Sequence, residues 1–545
     1  MNPLFVLVTG VAISMLVIPL AWRLAPYMGM IDEPDERKVH AKPIPRIGGW
    51  GIVFGTLIPI VLFVPLDPLI QSYVFGGLVL FVTGAWDDAT EIGHYAKFGG
   101  QLLAVGIVVF YGDLWIALPP YVGFEEVSPL FGKPFTFFAI VGVINAINHS
   151  DGLDGLAGGE SLLSLIVIAF LAHIVDDGIL AVVIACATMG GVLGFLRYNT
   201  HPAQVFMGDT GSQFLGFTLG FLTVYLTQVC HVALSSALPL LLIGLPIVDI
   251  LAVLFLRIRG KMNWFLATRN HVHHRLLDRG FNHYESVIVI YSVQALLVIS
   301  ALFMRYENDW WVTAWYLFVC GSVFVSLTVS ERKGWYAHRR GDERAVSQAI
   351  TYLKARGIVT VVPGRLVLLL VPSFVGSAAL LAETVPRDFG IMSGVLFVLL
   401  LFEMIFGKRG DTIAVRAAIA GAAIFTVYLT ADFVSDVIAD IELARTIYFV
   451  VLAVAIGLSV RFSKKLRFRT TPTDYLVVFG LITVAAFTNE TFDARAVRLL
   501  VIEAVILMYG CEILIGRQGG RWSVLNTVTL FALGVLAARG LLLPV

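Results

Sequence analysis

Asn145 to Gly159 reads NAINHSDGLDGLAGG and sets two carboxylates, Asp151 and Asp154, among asparagines and glycines where an apolar run gives out. On a helical turn the Gly-Leu spacing would put both carboxylates on one face, while the glycines would let a bulky group approach the backbone. A phosphate is the group such a stretch suits. Asp209 stands in VFMGDTGS, a glycine-rich loop that enters another apolar run, and backbone N–H groups at a helix start suit a phosphate or its metal. A Mg²⁺ site needs hard oxygen ligands, usually one or two carboxylates completed by phosphates and water. Asp151 and Asp209 are the pair expected to supply them.

Three further groups could join this chemistry. Asp87 and Asp88 are adjacent in WDDATE, so on a helix they diverge by roughly 100° and each needs its own job. Lys97, in HYAKFGGQ, could return to the same place as a point charge for phosphate. His271, His273 and His274 form H-x-H-H. No nearby cysteine or spare carboxylate completes a tetrahedral zinc set around them, and Arg269 and Arg275 on either side would repel a cation and attract a diphosphate. Anion binding is therefore the expectation for the histidines. Taken singly, an Asp-Asp pair, a GDTGS loop or an interfacial lysine is explained as well by a span end or a helix cap.

The elements that must position these groups are apolar. Hydrophobic residues make up 58% of the 545, charged residues 14%, and the net charge is zero. Runs of about 20 apolar residues recur along the chain, the length a helix needs to cross a bilayer. The fold class is an all-α polytopic integral membrane protein with about 18 transmembrane helices. The first run, from Leu4 to Trp22, is read as a retained span rather than a signal peptide. Eleven spans are expected within residues 1–330, the ninth over 236–256, and seven within 366–545, joined by a charged cytoplasmic linker over 331–365. Cys186, Cys230, Cys320 and Cys511 stand singly in apolar runs, without metal or disulfide spacing.

Lysine and arginine gather in the odd-numbered loops, which makes those loops cytoplasmic and puts the N-terminus outside. Arg37, Lys38, Lys42 and Arg46 follow span 1, and Lys464, Lys465, Arg467 and Arg469 lie in a late odd loop; Arg495 and Arg498 dissent. The acidic and histidine motifs close spans 3, 5, 7 and 9, so all fall on the cytoplasmic face.

In order, PRIGG (Pro45 to Gly49), DD, NAINHSDGLDG, NTHPAQVFMGDTGS and HVHH resemble the polyprenyl-phosphate N-acetylhexosamine-1-phosphate transferases (glycosyltransferase family 4). The resemblance covers about residues 1–330; residues beyond it carry no motif of that family. H-x-H-H looks like the WecA-like branch that uses UDP-GlcNAc or related amino sugars, not the muramoyl-pentapeptide branch with three consecutive histidines. The resemblance implies a Mg²⁺-dependent phosphotransferase, with Mn²⁺ as an alternative ion, in the bacterial inner membrane. It would move an N-acetylhexosamine-1-phosphate from a UDP-sugar to undecaprenyl phosphate, releasing UMP and starting a lipid-linked envelope glycan. A homodimer is a compatible assembly, and no nucleic acid is expected.

Residue by residue, the resemblance implies Asp209 and Asp151 as metal ligands. Asp87 or Asp88 would orient or deprotonate the lipid phosphate, with Lys97 on a phosphate. Asn148 and Asp154 would face the nucleotide, the three histidines the diphosphate and sugar, and Arg46 would join the substrate site. Direct attack on the β-phosphorus is favoured, with a covalent aspartyl route as the other course. The competing reading is a transporter or flippase, to which Glu403 and Glu503 inside late spans lend weight.

Overall fold

The computed structural model describes residues 3–34, 43–123, 125–260, 270–337, 361–382, 385–407, 413–430, 439–462, 494–518 and 520–542. Apolar runs become helices because a backbone in hydrocarbon must satisfy every N–H and C=O within its own segment. Among the described residues, 11 helices are long and apolar enough to span a membrane. The chain is a helical multi-pass membrane protein; the expected span over 474–488 lies outside the described residues. Two compact units emerge: the described residues up to 337 form one, and those from 361 onward form the other.

The first unit starts with α1 (Pro3–Met28), α2 (Gly48–Phe63), α3 (Pro68–Thr90) and α4 (His94–Gly106), which winds on as a π turn to Tyr111. Next come α5 (Pro129–Ser150), α6 (Leu156–His173), α7 (Ile179–Asn199) and α8 (Gly208–Tyr225). The unit closes with α9 (Pro239–Leu242), α10 (Gly244–Arg259), α11 (Val272–Asp278), α12 (His283–Phe303) and α13 (Asp309–Arg332). A two-residue antiparallel pair, Ile31–Asp32 with Ile44–Pro45, follows α1. Helix starts are written locally. Asp67 accepts the N–H of Ile70 at 2.8 Å with Pro68 at the first helical position, and Asn282 forms a capping box with Glu285 ahead of α12. Such caps contribute about 1 kcal/mol each.

The buried centre is α7 and α8. Helices α1 and α2 pack on α7, while α3 and α5 pack on α8. Tyr73 of α3 stacks on Phe217 of α8 at 5.6 Å, and its hydroxyl meets Thr218 Oγ1 at 2.9 Å. A buried tyrosine hydroxyl needs such a partner, so this contact sets the rotation of α3 against α8. The two helices run antiparallel, which brings the C-terminal end of α3 to the start of α8.

Span 9 departs from expectation. Instead of one helix over 236–256, the chain breaks at Ile243 between α9 and α10. Side chains from other helices take up the freed backbone groups: Leu242 O accepts from Ser164 Oγ at 2.6 Å and Gln294 Nε2 at 2.9 Å. Gly244 O likewise accepts from the Tyr316 hydroxyl at 2.9 Å. A break inside a membrane helix is tolerated where neighbours satisfy its backbone in this way.

In the second unit, the described helices are Val362–Leu381, Arg387–Phe406, Ile413–Leu429, Ala439–Phe462, Ala494–Gln518 and Val524–Leu542. Val371, Ala422, Leu452, Leu507 and Leu533 meet in its core. Glu503, which inside a span raised the transport reading, is buried against Arg445, whose Nε lies 3.0 and 2.9 Å from its two oxygens. Arg445 also donates to Thr430 O at 2.8 Å. A charge in such a place needs a partner of this kind, and Glu503 has one within its own unit.

Candidate active site

The start of α8 is fixed by its neighbours. Gly208 has φ +70°, and a Cβ there would fall 2.6 Å from Asp88 Oδ1. Asp88 reaches across from α3 to cap the helix: Oδ1 accepts the N–H of Asp209 at 2.8 Å, and Oδ2 accepts the N–H and hydroxyl of Thr210 at 3.1 and 2.6 Å. On the other side the PRIGG stretch runs along the loop, with Gly48 N and Gly49 N each 2.8 Å from the carbonyls of Phe206 and Met207. A side chain at Gly49 would meet Gly211 N at 2.3 Å. The backbones can come together only because glycine stands there.

Asp209 is thereby held at the end of α3. Lys97 Nζ bridges it to Asp87, 2.8 Å from Asp209 Oδ2 and 2.6 Å from Asp87 Oδ2. Asn148 Nδ2 donates to Asp209 Oδ1 at 3.1 Å and Ser212 Oγ at 2.8 Å, and Gln213 Nε2 donates to Asp209 Oδ2 at 3.1 Å. Carboxylate oxygens of Asp87, Asp88 and Asp209 lie within 4.8 Å of one another. The expected ligand pair was Asp209 with Asp151; among the described residues the grouping is Asp209 with the Asp-Asp pair. Adjacent residues manage this because Asp88 turns to the helix start and Asp87 to Lys97. Asp87 Oδ1 is buried without a hydrogen-bond partner among the described residues. Three carboxylates with one orphaned oxygen are hard donors of the kind a divalent cation takes; the Lys97 ammonium, which already neutralises two of them, competes with such an ion.

Asp151 follows α5, half-buried, and its carboxylate has no hydrogen-bond partner among the described residues. Burial, then the negative charges of Asp209, Asp88 and Asp154, push it up to about 7. Asp154, expected to face a nucleotide, ties down the segment after α7. Its Oδ2 pairs with His201 Nδ1 at 2.6 Å and accepts the N–H of Ala203 at 3.0 Å. Burial works against the charge of Asp154, but these two hydrogen bonds outweigh it and hold the carboxyl below its ordinary range. His283 stacks on His201 at 4.0 Å.

The histidine motif returns to the α5–α6 loop. His271 stacks at 5.6 Å on His149, the neighbour of Asn148, and a Cβ on Gly152 would touch His273 Nε2 at 2.2 Å. His274 lies 4.3 Å from His273, ring to ring. Burial, then the charges of His274 and His271, hold His273 well below its ordinary value. Arg275, expected to draw a diphosphate, is turned away: Nε and one terminal nitrogen grip Glu331 at 2.8 and 3.0 Å. Arg269 lies outside the described residues. Arg46, expected at the substrate, is paired with Asp32 and with Glu91 at 3.4 Å. It braces the strand pair against the end of α3.

Several residues escaped the reading of motifs. The hydroxyls of Thr210 and Ser212 belong to GDTGS, whereas Gln213 lies one residue beyond it and carries no signal of its own. Asn199 accepts Gly155 N–H at 2.7 Å and donates to Val205 O at 2.8 Å, joining the two loops. Asp249 accepts from His271 and Val272. A lone carboxylate in the apolar run GLPIVDILAV was a signal that could have found it.

The family model of glycosyl transferase family 4 matches residues 70–227, which hold both the Asp-Asp pair and Asp209. A relative in Bacillus subtilis (strain 168), named a probable undecaprenyl-phosphate N-acetylglucosaminyl 1-phosphate transferase, is 32% identical over 54% of this chain and 83% of its own length. The chain belongs to glycosyl transferase family 4. Another member, the undecaprenyl-phosphate alpha-N-acetylglucosaminyl 1-phosphate transferase of Escherichia coli O157:H7, is 30% identical over 55% of the chain and 82% of its own. The decaprenyl-phosphate N-acetylglucosaminephosphotransferase of Mycobacterium leprae (strain TN) is 29% identical over 55% and 84%. These family members account for about half of the chain.

Proposed function

We propose that the first unit transfers N-acetylglucosamine-1-phosphate from UDP-GlcNAc to undecaprenyl phosphate, releasing UMP and initiating a lipid-linked glycan. The observation that carries this is the Asp87–Lys97–Asp209 arrangement at the start of α8, in a chain whose relatives are named for that transfer. Phosphoryl transfer asks a protein mainly for positioning and charge neutralisation. An oxygen of the lipid phosphate attacks the β-phosphorus of the donor, a new P–O bond forms, and the bond to the bridging oxygen breaks as UMP leaves. Asp87 accepts the proton of a lipid phosphate that arrives as the monoanion, which frees the dianion to attack. Lys97 balances Asp87 and Asp209 at rest and can turn its ammonium to the incoming diphosphate. Asn148 keeps Asp209 in register, and His271 and His273 line the sugar-diphosphate side. A Mg²⁺ ion bound by Asp87, Asp88 and Asp209 would supply further neutralisation of the diphosphate.

The site is assigned to the cytoplasmic face of the inner membrane with the N-terminus outside, from the basic odd-numbered loops. Purified protein given undecaprenyl phosphate, Mg²⁺ and a panel of UDP-sugars should release UMP with UDP-GlcNAc or a close amino-sugar relative. No UMP from any donor, by a well-folded protein, would refute the reading.

A further inference from the structure

Asp249 stands in the first half of α10 and lines a small cavity with Ser150, Glu160, Leu245, Pro246, Val272 and His273. It is buried, as is His271. Its two oxygens make different contacts. Oδ2 lies 2.8 Å from His271 Nδ1, and Oδ1 accepts the N–H of Val272, the first residue of α11, at 2.9 Å. One carboxylate thus clamps both the ring of His271 and the backbone that follows it. The ring is held on its outer edge and on its face, where it stacks on His149 at 5.6 Å and on His273 at 5.6 Å.

The proton between a ring nitrogen and a carboxylate belongs to the imidazole, which is the stronger base. With Nδ1–H committed to Asp249, Nε2 is the nitrogen left for the substrate side. Which ring nitrogen serves a site is set by the hydrogen bond that the other makes. We infer that Asp249 is a positioning residue for the transfer reaction: it fixes the tautomer and orientation of His271 and never touches the substrate. The inference rests on the reading of His271 as part of the transferase site. The break of the chain at Ile243 belongs to the same device, because it lets α10 start afresh with its own direction and carry Asp249 to the histidine loop.

Asp249→Asn separates this role from simple packing. Asparagine keeps the volume and an oxygen for Val272 N–H, but its amide must donate to Nδ1 and so reverses the hydrogen bond. In full-length protein labelled with ¹⁵N-histidine and reconstituted in lipid, with His271 assigned by its loss in His271→Gln, Nδ1 of His271 should be protonated. In Asp249→Asn it should not be. UMP release should fall about 10- to 100-fold in Asp249→Asn, the usual cost of removing the carboxylate partner of a functional histidine, and Asp249→Glu should recover part of it. An unprotonated Nδ1 in the wild type overturns the inference, and so does undiminished UMP release by Asp249→Asn. If Asp249→Asn does not fold, the wild-type spectrum alone decides. A wild type that releases no UMP removes the functional reading, while the spectrum still reports the tautomer.

Discussion

Asp87 and Asp88 are neighbours with the same chemistry and different surroundings. Asp88 gives its oxygens to three donors at the start of α8, and leaving those donors unmet costs about 1–3 kcal/mol each. Asp88→Ala should therefore lower thermal stability in detergent along with activity. Asp87→Asn should leave the melting temperature near wild type and abolish UMP release. Equal loss of stability in both variants would contradict the division. Asp209→Asn should fold and lose nearly all turnover, since charge stabilisation of a migrating phosphoryl group is worth several kcal/mol. Asp151 gives a pH test. Its folded-state value of about 7 stands above the unfolded value near 4, so between these the folded protein holds a proton that the unfolded chain releases. The contribution of this group to stability is full below about pH 4 and falls as pH rises toward 7. With EDTA present, melting temperature should drop across that window, and Asp151→Asn should flatten the drop.

The active elements are helix ends, and each is held by a partner distant in sequence. Helix α8 starts where Asp88 caps it and where the PRIGG stretch lies against its loop. Gly49→Ala would push a methyl group into Gly211 N at 2.3 Å, and overpacking of this kind costs about 1–3 kcal/mol. The variant should show lower thermal stability and poorer UMP release, whereas Gly99→Ala, with open space around it, should be silent. Loss of function in both would mean that α4 is the more constrained element.

For the whole molecule, two compact units within one chain suggest separable folding. Truncation after about residue 341 should leave a protein that inserts and transfers sugar-phosphate in detergent. A truncated protein that binds UDP-sugar yet releases no UMP would place part of the reaction in the second unit. Cysteines introduced near residues 269 and 465 should label only from the cytoplasmic side of sealed cells. The four native cysteines are buried or half-buried and give little background. Labelling from outside would overturn the orientation and the one-face site built on it.

Sequence alone determined the helical membrane class, because hydrocarbon allows a lone apolar run of 20 residues few other structures. It also determined the family, because PRIGG, DD, NHSDGLDG, GDTGS and HVHH keep their order and their framing glycines. It marked Asp209, Asn148, Lys97 and the histidines as candidates through motifs that occur together and in order, since each taken singly is explained as well by a span end or a helix cap. Only the tertiary structure decided which groups each of them meets. Whether Asp151 or the Asp-Asp pair joins Asp209 depends on how α3 is rotated on α8, which rests on Tyr73, Phe217 and Thr218 and on no local motif. That Arg46 and Arg275 are held by acidic partners follows from Asp32 and Glu331, 14 and 56 positions away. Asp249 shows the same limit: its partner lies 22 residues on, and a carboxylate inside an apolar run does not name the group it will meet. Spacing fixes which residues share a face of one helix, but a site is made where several helices end, and their packing alone sets which side chains meet there.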